Sequence, residues 1–104
     1  MIDGHRVCEA IEGLAEPDTI RHWAERFSLL GDPTRLALLL CMRNGGPISV
    51  SDLAVAADVT PTKVSHALRL LRAHGLVRAK RDGHFVRYEL ADNTLDTLLT
   101  QVDS

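Results

Sequence analysis

The sequence predicts a mainly α-helical domain with a small β-hairpin near its end. Apolar residues recur at spacings of three and four along residues 19–30 and 60–74, which indicates amphipathic helices. A further predicted helix, residues 49–57, ends only two residues before the helix at 60–74. Beyond that helix, apolar and polar residues alternate on both sides of Asp82-Gly83, a dipeptide typical of hairpin turns. Two closely joined helices followed by a two-stranded hairpin indicate a winged helix-turn-helix.

Length and composition favour one small globular domain. The chain has 104 residues, of which 45% are hydrophobic and 25% are charged. A domain of this size buries only part of its apolar surface, so a partner subunit would stabilise it. Two cysteines are too few for a disulfide framework, and the chain has no long apolar run at its N-terminus or elsewhere. We therefore expect a cytoplasmic protein without membrane contact, composed of an N-terminal arm at residues 1–17 and a domain at residues 18–104.

Charge is distributed unevenly along the chain. The formal net charge is −2, but residues 1–32 carry seven acidic and three basic side chains, whereas residues 60–90 carry two acidic and seven basic ones. Between Thr60 and Arg81 there is no acidic residue at all. A basic block between acidic ends predicts a surface that binds a polyanion, with an ordinary solvated face as the plainer interpretation.

Side chains suited to helix starts mark the element boundaries. Asp32, Ser49 and Thr60 are predicted N-caps, because their short oxygens can accept hydrogen bonds from the first turn of a helix. Ser49 and Asp52 also have the spacing of a capping box. Residues 34–43 are apolar nearly all round, so this helix is predicted to lie buried at the centre.

The helix at residues 60–74 has the composition of a DNA recognition helix. Its apolar positions form one stripe, and its other positions are short polar groups and cations, which suit base edges flanked by phosphates. The hairpin extends this basic surface, so its cations are predicted to hold the DNA backbone. The predicted DNA-binding residues are Thr62, Lys63, Ser65, His66 and Arg69 on the helix and Lys80, Arg81 and Arg87 on the wing. His74, directly before Gly75, is predicted to bond a carbonyl at the helix end.

Three segments in this order resemble the ArsR–SmtB family of winged-helix repressors. They read LGDPTR at residues 30–35, VSHALRLLRAHGLV at residues 64–77 and RDGHFVRYEL at residues 81–90. The combination is specific, and the resemblance covers about residues 19–100. It implies a homodimer that represses promoters and releases DNA when a metal or an oxidant binds. It also implies that Thr62, Ser65 and His66 approach bases and phosphates.

The resemblance further implies that the first and last helices form the dimer contact. This agrees with two apolar stripes, one on the helix that begins near residue 18 and one on the helix from residue 93 to residue 102. The candidate interface residues are Ile20, Trp23, Phe27, Leu95, Leu98 and Leu99. We expect this dimer to bind double-stranded operator DNA with an inverted repeat.

The chain departs from the metal-binding patterns of that family. Members that bind soft metals often carry two cysteines where this chain has Ser49 and Ser51, and hydroxyls are poor ligands for soft cations. Only Asp52 remains there as a possible ligand. Members that bind zinc near the last helix carry an Asp-x-His pattern, which here is reduced to Asp92 with Thr94 in the histidine position.

The remaining candidate metal ligands lie in the N-terminal arm. His5, Cys8 and Glu9 fall within five residues, and Asp52 of a partner subunit is a further candidate. A thiolate in such a set favours a soft or borderline ion such as zinc, cadmium or lead. Two alternatives stay open: Cys8 is a free thiol without a role, or Cys8 and Cys41 form a redox switch.

Other function classes are less well supported. The sequence has no glycine-rich phosphate loop, no His-Cys zinc spacing and no nucleophile motif, so we do not expect an enzyme. A winged helix can also serve as a protein-interaction module. Such a module should present an exposed apolar or mixed-charge face on the helix at residues 60–74. The absence of acidic residues from that helix favours DNA instead.

Overall fold

A computed structural model describes residues 1–102 as six α-helices and three β-strands. The last two residues of the predicted domain, 103 and 104, lie outside the described residues. In chain order the elements are α1 (Gly4–Glu12), α2 (Pro17–Leu30), α3 (Pro33–Gly45), β1 (Ile48–Ser49), α4 (Val50–Ala57), α5 (Pro61–Ala73), β2 (Val77–Asp82), β3 (Phe85–Leu90) and α6 (Asn93–Val102). Helices α4 and α5 form the helix-turn-helix, and the strands form the wing.

The predicted N-caps are confirmed. The side chain of Asp32 accepts a hydrogen bond from the backbone N–H of Arg35 at 3.0 Å, and Pro33 takes the first helical position of α3. The Ser49 hydroxyl accepts from the N–H of Asp52, and the Thr60 hydroxyl accepts from the N–H of Lys63, both at 3.2 Å. Each bond satisfies a backbone donor that the helix cannot satisfy internally, which defines where α3, α4 and α5 begin.

The hydrophobic core surrounds α3, as its apolar composition predicts. Leu38 and Leu39 of α3 have no exposed surface, and α3 packs against α2, α4, α5, β3 and α6. The largest fully enclosed side chains of the core are Leu38, Leu39, Leu53, Val64, Leu71, Leu76 and Leu99. These residues come from α3, α4, α5 and α6 and from Leu76 just before β2, and the buried Val77 of β2 joins the same cluster. One core therefore holds the helix-turn-helix, the wing and α6 together.

Two residues in left-handed conformations shape the ends of the helix-turn-helix pair. Asp58 has φ 55°, and the chain reverses there because the N–H groups of Asp58 and Val59 bond back to carbonyls of α4. Gly75 has φ 74° directly after α5, where a glycine avoids the strain of a side chain. The predicted role of His74 is confirmed, since its Nδ1 lies 3.1 Å from the Leu70 carbonyl oxygen.

The wing has three strands, so the prediction of two strands was incomplete. The antiparallel sheet has the order β1-β3-β2, with Ile48 opposite Tyr88 and Ser49 opposite Arg87. Strand β1 contains only two residues, too few to produce a detectable alternation of apolar and polar residues.

The hairpin turn also lies one residue later than predicted. Asp82 pairs with Phe85, so the two-residue loop is Gly83-His84 and not Asp82-Gly83. Gly83 has φ 63°, and a glycine in the first loop position is one of the favoured hairpin types.

The N-terminal segment contains a helix that the sequence analysis did not predict. The carboxylate of Asp3 caps α1 by accepting from the N–H groups of His5 and Arg6. Every residue from 1 to 22 is exposed, and no residue of α1 is buried. The radius of gyration is 17.3 Å, against about 13 Å for a compact domain of this size. The segment predicted as an arm is therefore helical but unpacked.

The backbone at Gly46 lies so close to the backbone of Met42 that no side chain fits there, and a substitution can test this requirement. A Cβ atom at Gly46 would lie 2.5 Å from the carbonyl oxygen of Met42, which cannot move without disturbing α3. We expect Gly46→Ala to lower the free energy of unfolding by about 1–3 kcal/mol, as overpacking usually does. Urea denaturation followed by circular dichroism measures the change.

The neighbouring glycine provides the matched control. A Cβ at Gly45 would meet no atom within 4 Å, and Gly45 is the last residue of α3. Gly45→Ala should leave stability unchanged or raise it slightly, since alanine favours helix. Equal stabilities for the two variants would contradict this account.

Candidate nucleic-acid interface

Helix α5 divides into a buried side and an exposed polar side. Val64, Ala67, Leu68 and Leu71 are buried in the core. The five side chains predicted as DNA contacts on this helix, Thr62, Lys63, Ser65, His66 and Arg69, are all exposed. The packing of the apolar stripe against the core therefore turns this set of side chains outward together.

Two shallow grooves flank the N-terminal half of α5. One is lined by Pro61, Thr62, Ser65, His66 and Arg69, none of which is acidic. The other lies between α5 and the start of α3, and its lining includes Thr34, Arg35, Lys63 and the cap residue Asp32. Since Asp32 accepts the N–H of Arg35, the acid in this second groove is engaged within its own helix.

The cations of α5 have no acidic partner among residues 1–102. Lys63, Arg69 and Arg72 are exposed, and their charged side chains form no ion pair or hydrogen bond with the described part of the chain. Their charge is therefore available to an external anion. Hydroxyl and imidazole groups of Thr62, Ser65 and His66 lie between these cations on the same exposed side.

On the wing, two of the four basic side chains are paired with acids. Arg78 lies 3.0 Å from Glu89 and Arg87 lies 2.8 Å from Asp82, and the Arg87 guanidinium also lies over the Phe85 ring at 5.7 Å. Arg87 was predicted to contact phosphate, but the structure gives its charge a partner within the hairpin. The exposed cations Lys80 and Arg81 have no such partner in the described residues.

The candidate metal ligands do not form a complete site within one protomer. Nε2 of His5 lies 3.1 Å from Oε1 of Glu9 on α1, and Cys8 is an exposed free thiol on the same helix. Among residues 1–102, however, no three His, Cys, Asp or Glu side chains are grouped closely enough to hold a metal ion. Asp52 on α4 is therefore not assembled with the three residues of α1 in the same chain.

Cys41 differs from Cys8 in its environment. It is half-buried in α3 against the core, and this burial raises the pKa of its thiol. A raised pKa disfavours the thiolate, which is the form that reacts or binds metal. No disulfide joins the two cysteines, since both are free.

The predicted dimer residues separate into an exposed and a buried group. Ile20 and Phe27 on α2 are 46% and 54% exposed, and Phe27 packs beside the half-buried Trp23, with ring centroids 5.9 Å apart. Leu95 and Leu99, in contrast, are 2% and 1% exposed, so within the protomer their side chains pack into its own core. The apolar stripe of α6 serves mainly the core of its own protomer.

Exposed apolar residues that the sequence analysis missed lie at the N-terminus. Val7 and Ile11 of α1, and Leu14 after it, are each more than 40% exposed. Val7, Ile11 and Leu14 recur at spacings of four and three, which is a helical period that could have revealed them. Together with Ile20 and Phe27 they make the N-terminal helices the main exposed apolar surface.

An ion pair connects α2 to the start of α6. The guanidinium of Arg26 donates to the carboxylate of Asp92 at 2.5 Å, and both side chains are mostly buried. Asp92 also accepts the N–H of Thr94 at 2.8 Å. The hydrogen bond from Arg26, followed by that from Thr94, lowers the pKa of Asp92. The pair therefore fixes the position of α2, which carries the exposed apolar residues, relative to α6.

Comparison with known proteins gives consistent matches. A family model described as a helix-turn-helix domain matches residues 30–79. The chain is 42% identical over 85 residues to a protein described as a transcriptional repressor SmtB homolog in Synechocystis sp., a match that covers 82% of this chain and 64% of that protein. It is 30% identical over 86 residues to the arsenical resistance operon repressor of Bacillus subtilis, with 81% and 80% covered. The chain thus spans less than two thirds of the SmtB homolog but most of the Bacillus repressor.

Solved structures of transcriptional regulators share the fold of this chain. The AntR antimony-specific transcriptional repressor superposes with a TM-score of 0.77 at 29% identity, covering 86% of this chain and 80% of that one. A homodimeric winged helix-turn-helix DNA-binding domain from Mycobacterium bovis gives a TM-score of 0.74 at 26% identity, covering 88% and 85%. Within residues 1–102, none of the helices has the length and apolar character needed to cross a bilayer.

The Arg26–Asp92 pair predicts a pH-dependent contribution to stability. Because the pKa of Asp92 is lowered in the folded state, its contribution is complete above the ordinary aspartate pKa and is lost as the pH falls below it. At neutral pH, Asp92→Asn should lower the free energy of unfolding by about 1.5–3 kcal/mol, the range for hydrogen bonds to charged groups. The difference from wild type should shrink in acid, below a pH of about 4. Urea denaturation at several pH values measures it.

The exposed pair Arg21–Asp18 provides the control. Its atoms lie 2.8 Å apart, but the side chains are 67% and 92% exposed, so solvent weakens the interaction. Asp18→Asn should therefore change stability only slightly at any pH. A loss for Asp92→Asn that stays constant from neutral to acid pH would refute the assigned role of its charge.

Proposed function

We propose that this chain, which belongs to the ArsR–SmtB family of winged helix-turn-helix transcriptional regulators, is a homodimeric repressor that binds an inverted-repeat operator. The observation that carries the proposal is the exposed side of α5, where Lys63 and Arg69 have no acidic partner within residues 1–102 and lie among hydrogen-bonding groups. This combination suits the edges of base pairs between two phosphate backbones. The proposal implies a cytoplasmic location, where such DNA is found.

In the proposed complex, α5 enters the major groove. Thr62, Ser65, His66 and Arg69 are exposed near the N-terminal half of the helix, from which a recognition helix usually contacts bases. Lys63 and the wing cations Lys80 and Arg81 would hold phosphates, which position the protein without reading sequence.

The proposed dimer uses the exposed apolar surface of the N-terminal helices. Ile20 and Phe27 on α2 and Val7 and Ile11 on α1 are apolar side chains that the protomer leaves in water. Exposed apolar patches usually mark an interface. Leu98 on α6 is half-buried and is the candidate from that helix, because Leu95 and Leu99 are buried in the core of their own protomer and offer little surface to a partner.

An exposed apolar face on α5, which a protein-interaction module would need, is not present. The exposed large apolar residues of the described chain lie on α1, α2, α4, β3 and α6, and in the residues directly before and after α1. None of them lies on α5. The alternative of a protein-binding winged helix therefore has no supporting observation on its recognition helix.

We propose a soft or borderline metal ion as inducer, bound between protomers. Cys8 is an exposed free thiol on the helix that holds His5 and Glu9. Thiolate, imidazole and carboxylate together suit zinc, cadmium or lead. Since one protomer does not complete the set, further donors must come from a partner, for which Asp52 is the candidate. Any inducer can weaken operator binding only by favouring a dimer shape that fits DNA poorly.

Operator binding is tested with duplexes that the protein selects from a random pool. We expect a dimer at micromolar concentration by sedimentation equilibrium, and selected sites with half-sites about 34–36 Å apart. If Lys63, Lys80 and Arg81 each hold a phosphate in both protomers, the plot of log affinity against log salt should have a slope of about −5. A monomer with no preferred duplex, or affinity independent of salt, would rule out the proposal.

The proposed inducer site is tested by titrating cadmium while following thiolate-to-metal absorbance and operator affinity. Wild type should show an absorbance band and weaker operator binding at the same midpoint, because a thiolate is the strongest soft ligand available. Cys8→Ser should lose both responses. Cys41→Ser is the matched control and should keep both, since the Cys41 thiol is half-buried with a raised pKa. Release of DNA from Cys8→Ser at the wild-type midpoint would exclude Cys8 as the sensor.

A further inference from the structure

A third groove lies between α5 and the wing, on the side of α5 that faces the sheet. Its lining residues are Ser65, Leu68, Arg69, Arg72, Ala73 and Tyr88. Ser65 and Arg69 also line the groove beside Thr62 and His66, so the two grooves meet at these side chains. Arg72 and Tyr88 were not among the predicted DNA contacts.

The helical spacing explains how the groove acquires a row of polar side chains. Ser65, Arg69 and Arg72 are four and three residues apart, so they lie along one side of α5. Tyr88 lies in β3, the central strand, opposite Ile48 and Ala79. It is half-buried and packs against the core, so the sheet holds this residue in place on the far wall of the groove.

The groove is positively charged, and no acidic side chain of the described residues lines it. Arg69 and Arg72 have no ion pair or hydrogen bond from their side chains within residues 1–102, and neither does the Tyr88 hydroxyl. On the wing, in contrast, Arg78 and Arg87 are each paired with an acid. Two neighbouring guanidinium groups repel each other slightly when no anion lies between them. An anion in this groove would remove that repulsion and satisfy several donors at once.

We infer that this groove binds a backbone phosphate of the DNA, held by the guanidinium of Arg72 and the hydroxyl of Tyr88. The inference rests on the proposed function, because it assumes that α5 lies against DNA. A guanidinium presents paired N–H donors that match phosphate oxygens, and a phenol adds one further donor. Since Arg72 belongs to the recognition helix and Tyr88 to the wing, a single phosphate would connect both parts of the DNA-binding surface.

Such a contact positions the protein and carries no sequence information. Phosphate contacts fix the register and orientation of a recognition helix, while contacts to base edges provide specificity. Arg72 and Tyr88 should therefore contribute equally to binding of selected and of scrambled DNA. This expectation distinguishes them from side chains such as His66 that approach bases in the proposed complex.

The first test compares salt dependence for variants that each remove one donor. Operator affinity is measured by fluorescence anisotropy from 50 to 300 mM KCl, on a selected duplex and on a scrambled one. Arg72→Gln should weaken binding to both duplexes by the same factor and reduce the salt slope by about 1.8, that is 0.9 for each of two protomers. Tyr88→Phe should weaken both duplexes equally without changing the slope, because the lost donor is neutral. Urea denaturation checks that both variants remain folded.

Arg78→Gln is the matched control. It removes the same charge from the adjacent wing, but the guanidinium of Arg78 is already paired with Glu89 at 3.0 Å. Its salt slope should stay close to that of wild type. An equal reduction of the slope in Arg78→Gln and Arg72→Gln would mean that only net charge matters, and it would overturn the inference. A loss confined to the selected duplex in Arg72→Gln would also overturn it, since that result indicates base reading.

The second test locates the phosphate itself. Neutral methylphosphonate groups replace single phosphates of the selected duplex, one position at a time. In each half-site, one methylphosphonate position should lower the affinity of the wild-type protein. The same replacement should not lower the affinity of Arg72→Gln any further, because that variant already lacks the contact. An identical profile for wild type and variant would exclude the contact. If the wild-type protein binds none of the duplexes, the proposed function itself is wrong. If the wild-type protein binds and Arg72→Gln binds with the same affinity and salt slope, only this inference is wrong.

Discussion

The burial of α3 is the constraint on which the rest of the structure depends. Leu38 and Leu39 have no exposed surface, and five other elements pack around this helix. Protein interiors are packed nearly as densely as crystals, so elements that share one buried helix have little freedom to move independently. The recognition helix α5 and the wing both contact this core, through Leu71 and Val77 among others. Their relative positions, and hence the grooves between them, follow from the packing around α3.

Pairing between charged side chains determines which part of the surface remains cationic. Arg26 is bound by Asp92, Arg78 by Glu89 and Arg87 by Asp82, while the cations along the exposed side of α5 have no acidic partner in the described chain. The net charge of −2 therefore conceals a local field of opposite sign. Fields of this kind raise the rate at which a polyanion is captured, and they respond strongly to salt.

The two N-terminal helices, α1 and α2, bury little of their apolar surface within the protomer. Helix α1 buries nothing within the protomer, and α2 buries only Leu29. Isolated helices as short as α1, with nine residues, are marginally stable in water without packing. A second protomer would supply that packing. The proposed dimer would then both cover the exposed apolar surface and bring the proposed metal ligands of α1 next to a partner subunit. The ion pair between Arg26 and Asp92 then links this surface to α6 and so to the core.

Most of the fold could be predicted from the sequence, because its signals are local. Apolar periodicity defined the main helices, and short polar caps at Asp32, Ser49 and Thr60 marked where three of them begin. The exposed polar side of α5 followed from the same periodicity. Strand β1 was missed because two residues carry no period, and α1 was missed although its apolar spacing was present.

Tertiary structure alone decided which of these side chains act together. From the sequence, Arg87 was predicted to contact phosphate, but in the structure it pairs with Asp82. Leu95 and Leu99 were predicted as interface residues, but both are buried in the core of the protomer. The sequence also offered no reason to place Arg72 beside Tyr88, which lies sixteen residues further along the chain. Periodicity specifies the side of a helix on which a residue lies, whereas pairing and burial depend on elements that are distant in sequence and meet only when the core forms.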